Sequence, residues 1–409
     1  MPLSGPGEIL RLIREGAVAT RRDIRDVTGL SRVTVSQRVD ALRNAELIYE
    51  SGPQQSTGGR RPTRLSLNHD HGLVLTAVLD TTHAALAVAN LGHHVLTRTR
   101  RTIHIDDGPA AVLDEVLDGF DEIVGWLLAD GRAVPERLDG IGISLPGPID
   151  PATARPSQPP LMPGWDSYDV AAHLRGDRSL PVVVENDANA TAIGEWISHH
   201  PKASPLCLIK VSTGIGCGIV VGGALLTGVD GGSGDIGHIR LDGHDEALCT
   251  CGSRGCLAAV ASGRAISAQL TASGTPAGSG SDIRQLLASD NLLATQLTRD
   301  AGRLIGRIAS TLVSVVNPEV LVITGDLASP PLMAGLQESI HEFSLPRATH
   351  NLHVTLGGLG DTAAEVGLTR LVADTVLAPE AVDQRVSNEN SRSETLSPSS
   401  TPSTKPSDD

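Results

Sequence analysis

The apolar positions in the first 50 residues recur with the period of a helix. One set is spaced to bury a single helical face: Ile9, Leu10, Ile13 and Val18. Gly16 is expected to end this helix, and a second short helix is predicted near residues 20–27. Ser31 can cap a third helix, whose inner face has apolar residues at i, i+4 and i+7: Val35, Val39 and Leu42. A polar, glycine-rich segment at 51–62 then predicts a hairpin with a flexible tip.

The third predicted helix presents side chains of the kind that contact DNA. A helix that enters the major groove needs short polar and basic side chains near its N-terminus. The candidates on this helix are Arg32, Val33, Thr34, Gln37 and Arg38. In the hairpin, Arg60 and Arg61 would reach the DNA backbone or the minor groove. Residues 1–68 are therefore predicted to be a winged helix-turn-helix DNA-binding domain; the alternatives are a helical hairpin without DNA contacts and a solvated linker at 60–61.

The charge distribution sets this N-terminal segment apart. The chain carries a formal net charge of −14, yet residues 1–64 hold eleven Arg against seven Asp and Glu. A basic head on an acidic body is the asymmetry that orients a protein on DNA. No apolar run approaches the ~20 residues that span a bilayer, and the N-terminus has no signal-peptide pattern. We therefore expect a cytoplasmic protein with duplex DNA, and no membrane, as a partner.

From residue 72 the apolar pattern is that of an α/β protein. Three runs predict a strand meander, at 73–79, 84–88 and 95–105. Further strands are expected at 138–144, 182–184, 206–211, 218–221 and 320–324, with helices at 110–129, 190–196, 301–316 and 363–376. Two strand-rich halves would fit a duplicated α/β lobe. Beyond about residue 380 almost nothing could be buried, so residues 379–409 are predicted to be a disordered tail.

Three of the five cysteines lie within eight residues of one another. Cys249, Cys251 and Cys256 follow His238 in a glycine-rich loop. Three thiolates and one imidazole match a closed tetrahedral zinc site, and the absence of a vacant position suggests a structural Zn²⁺ ion. The alternatives are three small buried hydrophobes and, for His238, a lone core histidine.

Several segments of the chain resemble the ROK family, which groups bacterial sugar kinases with transcription repressors. The landmarks are the segments 145–148 (LPGP), 185–190 (ENDANA), 212–218 (STGIGCG), 237–238 (GH) and the 249–256 cysteine cluster. The resemblance covers about residues 1–376. It implies a two-lobed, actin-like, ribonuclease-H-type fold with a sugar site in the cleft and zinc in the larger lobe. It also implies a homodimer or homotetramer, and the N-terminal winged helix is typical of the repressor branch.

The resemblance supplies domain boundaries for the body of the chain. A small α/β lobe is expected at 69–186, joined by the last helix at 361–378. A large α/β lobe with the zinc site is expected at 187–360.

The nucleotide-binding loops that the resemblance implies are incomplete. The family's first phosphate loop reads Asp-x-Gly-Gly-Thr, because glycine lets backbone N–H groups approach phosphates. Here Asp80 is followed by Thr-Thr-His-Ala, without either glycine or the final threonine. The second loop retains Thr213, Gly214 and Gly216, whereas the adenosine-side Gly-Gly has become Gly325 followed by an aspartate. We therefore expect nucleotide binding to be lost.

The sugar-binding residues that the resemblance implies are mostly retained. They are Gly147, Asn186, Asp187, Asp235 and His238. Asp187 matches the family's catalytic base; the alternative is a carboxylate that only hydrogen-bonds the sugar. Asn186 could instead be a cap, and Gly147 could serve only a turn. The family's Glu two residues after the last cysteine is Ala258 here, which removes one hydroxyl acceptor.

Three hypotheses follow from these residues. The first is a non-catalytic transcription regulator, with a repressor favoured, that responds to a sugar or sugar derivative in a kinase-like cleft. The second is an ATP-dependent sugar kinase, for a hexose or an amino sugar, in which Asp187 is the base. The third is a regulator without a small ligand, in which the module only dimerises.

Overall fold

The structure is a computed structural model that describes residues 5–53, 63–131 and 137–395. The described chain forms two compact units, one from the residues up to Gly72 and from Ala373 onward, the other from Leu73–Val372. Arg60 and Arg61 fall outside the described residues. No helix in the described part of the chain is long and apolar enough to cross a membrane.

The helices and strands are numbered in chain order. The helices are α1 (Pro6–Arg14), α2 (Arg21–Thr28), α3 (Arg32–Asn44), α4 (Pro109–Ala129), α5 (Val170–Arg175), α6 (Asp187–His199), α7 (Leu257–Ala261), α8 (Gly263–Ala272), α9 (Gly280–Ala288), α10 (Leu292–Val316), α11 (Pro330–Phe343), α12 (Pro346–Thr349), α13 (Ala363–Val376) and α14 (Pro379–Thr395). The strands are β1 (Ile48–Pro53), β2 (Thr63–Leu67), β3 (Leu73–Leu79), β4 (His83–Asn90), β5 (Val95–Thr102), β6 (Leu138–Leu145), β7 (Ile149–Asp150), β8 (Arg155–Pro156), β9 (Val182–Asn186), β10 (Leu206–Val211), β11 (Ile215–Val221), β12 (Ala224–Leu225), β13 (Val320–Thr324) and β14 (His353–Leu356).

The first unit contains the three predicted helices followed by an antiparallel β1–β2 pair. Thr20 and Asp23 form a reciprocal capping box on α2, and Gly29 adopts a φ of +71° to end it. Ser31 caps α3 by accepting from the Thr34 N–H at 3.1 Å. The apolar residues that share the core are Ile9, Leu10, Ile24, Val39, Leu42 and Leu47.

The predicted disordered tail is wrong over residues 379–395, which form α14. This helix packs on α1 and buries Val382 and Val386 completely or nearly so. The backbones of α1 and α14 approach closely at Gly7, where a Cβ would lie 2.1 Å from the Pro379 carbonyl oxygen. The segment has few apolar residues of its own, and the surface that it covers lies at the opposite end of the sequence. Residues 396–409 lie outside the described residues.

The second unit contains two five-stranded sheets of the same topology. The strand orders are β5-β4-β3-β6-β9 and β12-β11-β10-β13-β14. In each sheet the first three strands form an antiparallel meander, and the last two run parallel to the first. The repetition confirms the expected two-lobed kinase-like fold. The first sheet uses residues 73–186 only, and the second uses 206–356 only.

The repeated topology directs the candidate residues to one end of each sheet. Asp80 follows β3, Gly147 follows β6, and Asp187 follows β9. In the second sheet the 212–214 turn follows β10, and Gly325 follows β13. Ligands of open α/β sheets bind beyond the carboxyl ends of the strands, which is where all these segments lie.

Helices α6 and α13 cross with their backbones in contact. A Cβ on Gly194 would lie 1.9 Å from the Ala363 carbonyl oxygen, and one on Gly367 would lie 1.8 Å from that of Ala190. Helix α13 also packs on the first sheet, where a Cβ on Gly142 would meet Leu368. The helix predicted at 361–378 is therefore held by close approach of small residues on one face.

Candidate functional site

The predicted DNA-reading residues of α3 differ in how exposed they are. Arg32, Val33 and Gln37 are exposed, and 66% of the surface of Val33 is accessible to solvent. Thr34 is half-buried, and its hydroxyl forms a hydrogen bond with the Ser31 hydroxyl at 2.8 Å. Arg38 is also half-buried. The side chains available for base contacts are therefore concentrated in the first turn and a half of the helix. Arg64 on β2, which the sequence reasoning missed, is exposed as well.

A cavity of about 470 Å³ lies in the second unit and collects most of the predicted ligand residues. The predicted residues that line it are Asp80, Gly147, Asn186, Asp187, Thr213, Gly214, Gly216, Asp235 and His238. Gly325 does not line it. Its φ is +96°, and a Cβ there would lie 2.5 Å from the Val211 carbonyl oxygen. Glycine at this position serves close backbone packing between β10 and β13.

Asn186 acts as a cap, which was one of its two predicted roles. Its side-chain oxygen accepts from the N–H groups of Ala188 (2.9 Å) and Asn189 (3.2 Å) at the start of α6. Its Nδ2 donates to the Gly147 carbonyl oxygen at 3.0 Å. The amide therefore ties the loop after β6 to the first turn of α6. This fixes where the neighbouring Asp187 side chain enters the cavity.

Asp187 is paired with Lys210, a residue that the sequence reasoning missed. Lys210 Nζ donates to Asp187 Oδ2 at 2.5 Å, and both side chains are more than four-fifths buried. The signal in the sequence is a single lysine in the apolar run of β10. Asn189, which also lines the cavity, donates to Glu185 Oε1 at 2.9 Å, and burial raises the pKa of Glu185.

In the loop that matches the family's first phosphate loop, two backbone N–H groups donate hydrogen bonds within the loop itself. The Thr81 N–H donates to Asp80 Oδ1 at 2.6 Å, and the Thr81 hydroxyl donates to the same oxygen at 3.0 Å. The Asp80 N–H donates to the His83 carbonyl oxygen at 2.8 Å, which closes the turn between β3 and β4. Both N–H groups are therefore turned toward the protein's own acceptors.

The predicted zinc ligands converge. One donor atom from each of His238, Cys249, Cys251 and Cys256 lies within 4.8 Å of the others. His238 Nδ1 is 3.5 Å from Cys249 Sγ, and Cys251 Sγ is 3.7 Å from Cys256 Sγ. Zn–S bonds of about 2.3 Å and Zn–N bonds of about 2.0–2.1 Å at tetrahedral angles require separations of roughly 3.6–3.8 Å. The residues present therefore fit a closed zinc site.

The chemistry of the thiols also suits a bound cation. Burial raises the pKa of Cys256 to about 12. Burial opposes ionisation of Cys251 too, but hydrogen bonds from Ser253 and the neighbouring thiols lower its pKa to about 6. Three adjacent thiolates repel one another unless a metal ion neutralises them, so full ionisation of this cluster requires a cation.

His238 joins the cysteine cluster to the cavity. Its Nδ1 faces Cys249, while Nε2 lies 4.0 Å from Asp235 Oδ1 and the residue lines the cavity. A metal-bound histidine whose other nitrogen faces a carboxylate has a fixed ring orientation. Zinc bound through Nδ1 would therefore hold Nε2 toward a ligand. Ala258 also lines the cavity, and its methyl group offers no hydrogen-bond acceptor at that position.

Comparisons with known proteins agree with this arrangement. The xylose repressor of Caldicellulosiruptor bescii is 27% identical over 394 residues, which is 91% of this chain and 96% of the repressor. A glucokinase of Halalkalibacterium halodurans is 30% identical over 279 residues, 64% of this chain and 83% of the kinase. A crystal structure of a ROK family transcriptional regulator, described as a homologue of the E. coli MLC protein, superposes with a TM-score of 0.78 at 27% identity. It covers 94% of this chain and 98% of its own.

The similarity to kinases is confined to part of the chain, whereas the similarity to regulators extends over nine-tenths of it. The profile of the ROK family matches residues 79–375, which include the whole second sheet, the first sheet apart from most of β3, and every cavity residue named above. The chain belongs to the ROK family.

Proposed function

We propose that this protein is a sugar-responsive transcription repressor: α3 and the β1–β2 hairpin bind an operator, and the cavity of the second unit binds a sugar without phosphorylating it. The observation that carries this proposal is the combination of a complete helix-turn-helix with a kinase-like cleft whose first phosphate loop bonds to itself. The relatives named as xylose repressors, which match nine-tenths of the chain, support the same function.

The loss of kinase activity follows from the loop geometry. Phosphoryl transfer relies on backbone N–H groups and cations that hold the phosphates in line. The Thr81 N–H donates a hydrogen bond to Asp80 and is not free for a phosphate. The two positions at which the family has glycine are occupied here by Thr82 and His83, whose side chains restrict the backbone. Asp326, next to Gly325, adds a carboxylate that donates no hydrogen bond to a nucleotide.

Sugar recognition is assigned to the polar side chains of the cavity. Carboxylates accept hydrogen bonds from hydroxyl groups and an imidazole can donate or accept them, and Asp187, Asp235 and His238 all line the cavity. A Zn²⁺ ion on His238 and the three cysteines would hold this loop rigid, because all four ligands come from the protein. No coordination position is left for water, so the ion is structural. The assembly proposed for DNA binding is a homodimer or homotetramer, which presents two helices to two half-sites.

The DNA-binding part is tested with an operator selected by the wild-type protein from a random duplex library. Arg32→Ala with Gln37→Ala removes two exposed side chains from α3. Each good base contact contributes ~1–3 kcal/mol of discrimination, so we expect binding in a gel-shift titration to weaken by at least about 30-fold. Arg347→Ala, which removes an exposed arginine from the second unit, is the matched control. Unchanged binding by the double variant would contradict the proposal.

The sugar-sensing part is tested by thermal unfolding with a panel of pentoses and hexoses that includes D-xylose and D-glucose. A ligand bound only by the native state raises its stability by about 2.7 kcal/mol at 100 times the Kd. We expect one sugar to raise the unfolding temperature and to weaken operator binding, and Asp187→Ala to abolish both effects. If no sugar in the panel does so, the dimerisation-only hypothesis gains support. Sugar phosphorylation by ATP that Asp187→Asn abolishes would establish the kinase alternative instead.

A further inference from the structure

A buried ammonium group, that of Lys210, lines the cavity. Lys210 comes from β10, whose other residues are apolar and buried, and 18% of its side chain is exposed. Its Nζ is 2.5 Å from Asp187 Oδ2. A lysine is rarely buried to this extent unless it is paired, so its position requires a carboxylate partner.

Two further carboxylates act on the same ammonium group. Burial lowers the pKa of Lys210, but the charges of Asp187, Asp80 and Asp326 more than offset this effect and raise it. Asp326 also forms an ion pair with Arg284 at 3.3 Å. Asp187 is therefore the carboxylate that contacts Lys210, and Asp80, which follows a different strand of the first sheet, acts on the ammonium through its charge.

Carboxylates that converge beside a phosphate loop are the ligands that hard divalent cations prefer. In phosphoryl-transfer enzymes such ions neutralise the phosphates. Here a side chain already supplies positive charge at that place. We propose that the Lys210 ammonium is a built-in cation that takes the place of a divalent metal beside Asp187, and that it makes Asp187 a fixed hydrogen-bond acceptor for a neutral sugar hydroxyl.

The hydrogen bonds of Asp187 explain why it accepts without taking a proton. Oδ1 accepts from the Ala188 N–H at 2.8 Å, and Oδ2 accepts from Lys210. If Asp187 took a proton from a sugar, the buried Lys210 charge would lose its nearest partner, which is strongly unfavourable. A carboxylate has further lone pairs, so a sugar hydroxyl can still donate to it. This inference rests on the sugar-receptor function proposed above, and it adds that the sugar is bound without nucleotide or divalent metal.

The test is a titration with Mn²⁺ alone, followed by electron paramagnetic resonance on the full-length, zinc-loaded protein. We expect the wild type to bind no Mn²⁺ at this site. Lys210→Met, which removes the charge but keeps a long side chain, should gain one Mn²⁺ per chain. Adding Asp187→Asn to that variant should weaken this binding at least tenfold. Lys210→Arg keeps the cation and should gain none, and Lys202→Met, which changes an exposed lysine, is the matched control.

The proposal is overturned if Lys210→Met gains no Mn²⁺, or if the wild type binds Mn²⁺ in a manner that Asp187→Asn removes. Should Lys210→Met fail to fold, thermal unfolding of Lys210→Thr with and without Asp187→Asn replaces it. Asp187→Asn is expected to lower the unfolding temperature more in the wild type than in the Lys210→Thr background, and equal shifts would overturn the proposal. Neither measurement involves sugar or DNA, so this inference and the proposed function fail separately.

Discussion

Asp383, which lies far along the chain in α14, is predicted to stabilise the first unit. Helix α1 follows Gly5, and no side chain near its start caps it. The four N-terminal N–H groups of a helix need outside acceptors. One of them is satisfied by α14, because the Gly7 N–H donates to Asp383 Oδ1 at 2.8 Å. Asp383 therefore acts as a cap that is 376 positions away in sequence.

The expected destabilisation of α1 by Asp383→Ala follows from the loss of this single hydrogen bond. Removing a capping acceptor costs about 1 kcal/mol, within a range of about 0.5–2 kcal/mol. Removing a negative charge from a helix N-terminus adds about 0.3–1 kcal/mol. Asp383→Ala should therefore destabilise α1 by about 1–2 kcal/mol, which raises the population of its opened state by a factor of about 5–30. Asp383→Asn keeps an acceptor and loses only the charge, so its effect should be a fraction of that.

Hydrogen exchange measured by mass spectrometry resolves this effect. Peptides from residues 5–15 should exchange faster in Asp383→Ala, by about the factor given above. The three tryptophans, Trp126, Trp165 and Trp196, all lie in the second unit. Their fluorescence should therefore report an unchanged urea transition for that unit. If the α1 peptides of Asp383→Ala exchange at the wild-type rate, the capping argument is refuted. If both units lose stability equally, the effect of the substitution is not local to α1.

Two further predictions concern the second unit. Replacing Cys249 and Cys251 by serine should remove the bound zinc in metal analysis, because two of four ligands are lost; retention of one zinc per chain would contradict the site. Burial raises the pKa of Glu365 to about 7, against the opposing charges of Arg98 and Arg100. The unfolded chain loses this proton near pH 4.5 and the folded chain only near pH 7. Stability measured by tryptophan fluorescence in urea should therefore fall between those pH values, by at most about 3 kcal/mol, and Glu365→Gln should flatten the slope.

Local rules were sufficient where both partners of an interaction lie close together in sequence. Ser31 was predicted as the cap of α3 because its acceptor and the Thr34 N–H are three residues apart. The four residues of the candidate metal site were predicted for the same reason, since three of them lie within eight residues. The strand-end positions of Asp80 and Asp187 also followed from pattern, because the carboxyl ends of parallel strands share one edge of a sheet.

Long-range partners were not accessible in this way. Helix α14 has a polar sequence with two buried valines, and it is stabilised by a surface on α1 that no local pattern indicates. Lys210 was hidden because a lysine in an apolar strand carries no sign of which carboxylate it meets. Asn186 had two possible roles in the sequence. Only the positions of Gly147 and of the α6 N–H groups distinguish a cap from a ligand contact.

The packing of α6 on α13 gives the cavity a physical route to the helix that follows the second sheet. A sugar that bonds to Asp187 acts at the first residue of α6. Helix α6 meets α13 through Gly194 and Gly367, where backbone touches backbone and no long side chain can absorb a displacement. The boundary between the two units falls within α13, between Val372 and Ala373. We therefore expect a shift of α6 to displace α13, and hydrogen exchange of the peptides that cover α13, measured with and without sugar, checks this expectation.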